Sequence, residues 1–216
     1  MKILFIGNSY TFYNDMPAMF EKLANANGHD VSVFSVTKGG RKLIAYKDNE
    51  DPVTQKLDDL LKGHHFDVCF IQEQSVLPAA DFQAFMDGVD FVVEKVKNFA
   101  EKLILYATWG RKDGCPKLEE HNWTTESMTK LLSDAYSKAA RSHGAIISPV
   151  GDNFLKITTK HPEIDLYNAD LSHPSYLGSC LAALTHYFTV FNEFPESIDC
   201  LSLSDDTVAA FRAAVL

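Results

Sequence analysis

The stretch Lys2-Ile3-Leu4-Phe5-Ile6-Gly7-Asn8-Ser9-Tyr10-Thr11 decides the fold. A short apolar run that breaks at Gly-Asn-Ser predicts a buried first strand over Lys2 to Ile6, with Ser9 just past its carboxyl end. Four more runs rich in β-branched and aromatic residues follow: Val31 to Val36, Asp67 to Ile71, Leu103 to Thr108 and Ala145 to Ser148. The segments between them carry helical period. Alternation of this kind predicts an α/β domain: a parallel five-stranded sheet in a three-layer α/β/α sandwich, joined by right-handed crossovers, with the site at the carboxyl ends of the strands.

The crossover helices have recognisable starts. Pro17 opens one, with Met19, Phe20, Leu23 and Ala24 on its buried face and Gly28 past its end. Asp51-Pro52 reads as a cap and first-turn proline for a second, through Leu57, Leu60 and Leu61. A long helix is predicted from about Ala80 to Glu101, because Phe82, Phe85, Met86, Val89, Val93, Val96 and Phe99 recur every three or four residues. Another spans roughly Thr125 to His143. A last one follows Pro174 through Leu177, Leu181, Leu184 and Phe188.

Composition narrows the function. The 216 residues carry a formal charge of −9, with 46% apolar and 23% charged residues, and are read as one domain, residues 1–216. Such an acidic surface repels phosphates and argues against a nucleic-acid partner. The apolar run before Gly7 is too short for a membrane span or a signal peptide. The chain as given therefore reads as intracellular, or as secreted or periplasmic if a leader was removed. Cys69, Cys115, Cys180 and Cys200 lack metal-ligand spacing and read as reduced thiols. His64 and His65 diverge on any regular element, and His29, His143 and His161 read as surface residues. No metal or cofactor is called for.

Four segments carry the chemistry. Ser9 stands at a strand end, where a hydroxyl can face a ligand. Thr37-Lys38-Gly39-Gly40-Arg41 follows the second strand, and its glycines let a backbone N–H approach a substrate oxygen. Ile71-Gln72-Glu73-Gln74-Ser75 ends the third strand with carboxamides able to donate to an oxyanion. Asp170-Leu171-Ser172-His173-Pro174 sets an aspartate three residues before a histidine at the entrance of the last helix. Asp170 can fix the imidazole tautomer whose other nitrogen accepts the Ser9 proton, an arrangement suited to ester hydrolysis.

In this order the segments resemble the serine, glycine, asparagine and Asp-x-x-His blocks of the SGNH (GDSL-like) hydrolase superfamily. Gly7-Asn8-Ser9-Tyr10-Thr11, Gln72-Glu73-Gln74-Ser75, Thr108-Trp109 and Asp170-x-x-His173-Pro174-Ser175 look like its DUF4886-type branch. The resemblance implies a flavodoxin-like sheet of order 2-1-3-4-5 and a serine esterase with Ser9 as nucleophile, His173 as base and Asp170 as its orienter. It also implies an oxyanion hole from the N–H groups of Ser9 and Gly40, or Gly39. The family asparagine is missing, since none occurs between Asn49 and Asn98, so Gln74 or Gln72 stands in for it.

The polar segment from Gly110 to Thr124, with Arg111, Lys112, Asp113, His121 and Trp123, is expected to join Tyr10 and Trp109 in a sugar-facing wall. No apolar lid is evident, which favours a short acyl group on a carbohydrate or small-molecule ester. Two other readings stay open: a carbohydrate-binding relative without turnover, and a flavin- or phosphate-binding module using the Gly-Asn-Ser-Tyr-Thr loop. Oligomeric state is not readable.

Overall fold

The computed structural model describes residues 1–216. Five strands, β1 (Lys2–Gly7), β2 (Ser32–Thr37), β3 (Phe66–Ile71), β4 (Ala100–Tyr106) and β5 (Ile146–Ser148), form one parallel sheet of order β2-β1-β3-β4-β5. The predicted topology is the observed one. Ten helices surround it: α1 (Ser9–Phe12), α2 (Met16–Ala26), α3 (Pro52–Gly63), α4 (Leu77–Ala80), α5 (Phe82–Val96), α6 (Pro116–His121), α7 (Thr125–His143), α8 (Val150–Lys160), α9 (Tyr176–Phe191) and α10 (Asp205–Val215).

Strand side chains alternate between two cores. Ile3, Phe5, Val68, Phe70, Ile104 and Tyr106 pack with α2, α8, α9 and α10 on one face. Leu4, Ile6, Val36, Cys69, Ile71 and Leu105 pack with α3, α5 and α7 on the other. Both faces of the sheet are thereby dry, which is why its strands are continuous apolar runs.

The long helix expected over Ala80 to Glu101 is α5, which starts two residues later and ends five residues earlier. Asp81 leaves helical geometry at φ −147° and ψ 87°, and its carboxylate accepts the Ala84 N–H, so it ends α4 and caps α5. At the other end Ala100 and Glu101 belong to β4, where Ala100 stands opposite Phe66 in the parallel register. β4 accordingly starts three residues before the expected Leu103 and stops before Thr108. Met19 and Leu60 are half-buried rather than core residues. Pro174 is not in the first turn of the last helix: it bridges Tyr167, and Ser175 caps α9 by accepting the Gly178 N–H.

Cys69, Cys115 and Cys180 are buried, Cys200 is exposed, and all four are free. His29, His143 and His161 are half-buried, the first stacked on Phe191 at 3.7 Å. No helix is long and apolar enough to cross a membrane.

Candidate active site

Ser9 is the first residue of α1, immediately beyond the central strand β1. Asn8 fixes that turn from inside: it is 2% exposed, its Oδ1 accepts the Tyr10 N–H at 3.1 Å, and its Nδ2 donates to the Arg41 carbonyl at 3.1 Å. The second bond ties the serine turn to the glycine loop. An aspartate could not make it. Asn8→Asp is therefore expected to cost about 1–3 kcal/mol, read as a thermal midpoint several degrees lower. An unchanged midpoint would mean that the Arg41 bond contributes nothing.

His173 lies 164 residues from Ser9, and its Nε2 stands 2.8 Å from Ser9 Oγ. On the other side of the ring Nδ1 is 2.5 Å from Asp170 Oδ2. Asp170 Oδ1 accepts the backbone N–H groups of Ser172 at 3.0 Å and His173 at 2.9 Å. This local loop explains why an Asp-x-x-His spacing suffices. Partial burial pushes the Asp170 carboxyl up, but the His173 ring and the two N–H donors outweigh it, so its pKa is lowered and it stays a carboxylate.

Contacts unforeseen from the sequence hold this loop. Tyr13 stacks on the His173 ring at 4.3 Å and 13°. Asn14 donates to the carbonyls of Pro174 and Ser175 and to Ser179 Oγ. Tyr10 Oη meets Ser172 Oγ at 2.7 Å. The only hint in the sequence was the aromatic and amide run Tyr10 to Asn14 after the serine, without any sign of its distant partners.

Ser9, His173, Gly40, Gln74, Tyr10 and Arg111 share one small cavity of about 170 Å³, completed by Asn8, Ser75 and Ser172. Gly40 has φ +65°, in the left-handed region that favours glycine, and its N–H makes no hydrogen bond within the protein. Gly39 lies outside this cavity.

The two glutamines part company. Gln72, 1% exposed, accepts the Asn8 N–H and the Thr11 hydroxyl on Oε1, both at 2.9 Å, and its Nε2 donates to the Glu73 carbonyl. Its amide is consumed inside the protein, which corrects the reading of Gln72 as an alternative oxyanion donor. Gln74 lines the cavity. Its Oε1 accepts the Val76 and Leu77 N–H groups at 3.0 Å, leaving Nε2 with only a 3.5 Å contact to Ser75 Oγ. Between them Glu73 is fully buried and accepts the N–H groups of Leu43 and Gln74, joining the glycine loop to the Gln74 loop. Burial pushes its carboxyl up to about 7, with those two donors working in the opposite direction.

The expected aromatic wall is corrected. Trp109 has no exposed surface. It is stacked between Tyr10 at 4.6 Å and Phe154 at 4.1 Å, and its Nε1 donates to the Ser172 carbonyl at 3.1 Å. Apolar neighbours on both faces draw it into the core. Tyr10, 3% exposed, reaches the cavity only at its edge. In the 110–124 segment, His121 and Trp123 stack on each other and Trp123 packs on the Cys115, Leu118 and Met128 cluster. Arg111 alone among that segment's residues lines the site. A larger cavity of about 370 Å³ lies beside Lys112, Asp113, Thr125 and Asp165, away from Ser9 and His173. Its Lys112 and Asp165 are paired with each other at 2.9 Å.

No protein-family model matches the sequence, and no curated protein matches it. Solved structures do. A protein from Slackia heliotrinireducens assigned to the SGNH hydrolases is 30% identical, with a TM-score of 0.78 over 88% of this chain and 98% of its own. A DUF4886 family protein from Bacteroides uniformis shares the fold at TM-score 0.83 and 19% identity, over 100% of this chain and 93% of its own. Axe2, an acetylxylan esterase from Geobacillus stearothermophilus, shares it at TM-score 0.69 and 15% identity, over 91% of this chain and 96% of its own.

Proposed function

Because the chain belongs to the SGNH hydrolase superfamily, we propose that it is a serine ester hydrolase cleaving short acyl esters, acetyl above all, from a carbohydrate or other small alcohol. The observation that carries this reading is the unbroken line from Ser9 Oγ through His173 Nε2 and Nδ1 to Asp170 Oδ2.

In this mechanism Ser9 Oγ attacks the ester carbonyl carbon while His173 Nε2 takes its proton. The carbonyl oxygen becomes an oxyanion, held by the N–H groups of Ser9 and Gly40 with Gln74 Nε2 in place of the family asparagine. Asp170 keeps Nδ1 protonated and stabilises the imidazolium. That imidazolium then protonates the departing alcohol oxygen, leaving an acyl-serine. Water, deprotonated by the same nitrogen, releases the acid and restores Ser9. Gly39 takes no part.

A cavity of about 170 Å³ is roughly half the low end of the range for drug-sized ligands. It suits an acetyl group better than a long chain. The acetylxylan esterase among the structural neighbours is in keeping with this choice. 4-Nitrophenyl acetate is expected to turn over faster than 4-nitrophenyl octanoate; the reverse order would overturn the short-acyl assignment.

Asp170→Asn tests the orienter. The asparagine can keep an oxygen on the Ser172 and His173 N–H groups, but its NH2 then faces His173 Nδ1 and forces the tautomer with the proton on Nε2. That nitrogen can no longer accept from Ser9. A loss of about 10²- to 10⁴-fold in kcat is expected with little change in fold stability. Wild-type turnover in this variant would assign the role elsewhere.

A further inference from the structure

Two arginines flank the serine turn, and only one of them is neutralised. Arg41 pairs with Asp51 at 3.0 Å, donates to the Ala45 carbonyl and Thr54 Oγ1, and lies over the Tyr46 ring. Arg111, which lines the cavity with Ser9 and His173, has no carboxylate within ion-pairing distance. Its Nη2 makes a 3.3 Å contact to Ser75 Oγ and its Nη1 a 3.7 Å contact to Cys115 Sγ, while Nε is sealed from solvent without an acceptor. The acidic groups around it are committed elsewhere: Asp170 to His173, Asp113 to Thr125, and Glu120 to Lys117.

A guanidinium stays charged at any working pH and presents a planar fork of donors. Arg111 is half-buried, so water reaches part of its guanidinium, but its sealed Nε and loosely held Nη groups leave donors that an anion in the cavity would complete. The protein around it is net acidic, at −9, so general electrostatics do not draw anions to this cleft and the attraction is local to Arg111. Tyr10, Ser75 and Ser172 add neutral hydrogen-bonding groups but no competing negative charge.

We propose that Arg111 is the receptor for a carboxylate on the substrate, so that the site takes a short acyl ester of an acidic compound, such as an acidic sugar, in preference to a neutral one. This rests on the esterase reading for its catalytic arm, and not for its binding arm. The carboxylate completes the unfilled donors of the guanidinium, and the ester carbonyl is thereby set over Ser9 Oγ.

Two matched pairs of esters test it. 4-Acetoxybenzoate against 4-acetoxybenzamide puts the charge on the alcohol side; mono(4-nitrophenyl) succinate against 4-nitrophenyl butyrate puts it on the acyl side. In at least one pair the charged-to-neutral ratio of kcat/KM is expected to fall about tenfold or more on Arg111→Gln, as suits a hydrogen-bonded ion pair. Arg111→Lys, which keeps charge and loses the fork, is expected to fall between, with thermal midpoints showing that both variants fold. Equal loss on charged and neutral members of both pairs would overturn the proposal and make the guanidinium a part of the ester-cleaving machinery.

Calorimetric titration of 4-acetoxybenzoate and 4-acetoxybenzamide into Ser9→Ala, with and without Arg111→Gln, reads the contact without turnover. Arg111-dependent preference for the benzoate in a protein that cleaves nothing would sink the esterase reading and leave this one standing. Active enzyme with neither preference would do the reverse.

Discussion

Replacing Ser9 by alanine is expected to bring 4-nitrophenyl acetate hydrolysis down to the buffer rate, a loss of about 10⁶-fold in kcat where the uncatalysed background permits it to be seen. The reason is the economy of the hydroxyl's contacts. Ser9 Oγ has a single polar partner, His173 Nε2 at 2.8 Å, and the side chain is only half-buried at the cavity. Its removal deletes the proposed attacking atom and leaves the imidazole held by Asp170 and by the stacked Tyr13 ring. The fold loses almost nothing, so the thermal midpoint should stay within about 2 °C of wild type. Loss of activity with a lowered midpoint would point to a packing role instead. Retained activity would remove Ser9 from the chemistry altogether.

Trp109→Ala is expected to produce the largest loss of stability, about 3–5 kcal/mol. The indole has no exposed surface and fills the space between Tyr10 and Phe154, so alanine leaves a cavity that two parallel rings cannot both collapse to close. The same substitution removes the Nε1 bond to the Ser172 carbonyl, one residue before His173. Urea unfolding followed by circular dichroism measures the first effect. Trp109→Phe weights the second, because it retains a ring in the stack and gives up the donor with a smaller loss of buried volume than alanine. It should lower kcat through a displaced His173 while affecting KM little. A variant that raised KM for sugar esters and left unfolding unchanged would restore Trp109 to the binding wall.

The sheet was legible because buried parallel strands need unbroken apolar runs, and Lys2 to Ile6 or Asp67 to Ile71 have no other reading at that length. Helix ends were legible where a local side chain marks them, as Asp51 does before Pro52. Asp81 is the same kind of mark before Phe82, whereas the end of α5 at Val96 is not legible, because Phe99 continues the apolar register beyond it. Asp170 and His173 were legible because both sides of their pairing lie within four residues of chain. The Tyr13 stack, the Asn14 clamp and the Glu73 tie were not, since each joins segments far apart in sequence and leaves no periodic trace.

Legible in the sequence were a parallel α/β sandwich, a serine at the end of its first strand, and an aspartate and a histidine three residues apart before its last long helices. Those follow from local backbone preference and short-range spacing. Tertiary structure alone decided which amide meets the site. The β1–β3 register places Ile6 beside Ile71, so Gln72 follows opposite Gly7, where a Cβ would lie 2.6 Å from Gln72 Oε1. The absent side chain makes room for that amide to turn inward onto Asn8 and Thr11. Gln74, three residues past the end of β3, is left to face the cavity. Burial likewise sent Trp109 into the core and left Arg111 uncompensated beside Ser9, because packing and the pairing of charges are settled by which surfaces meet when the layers close.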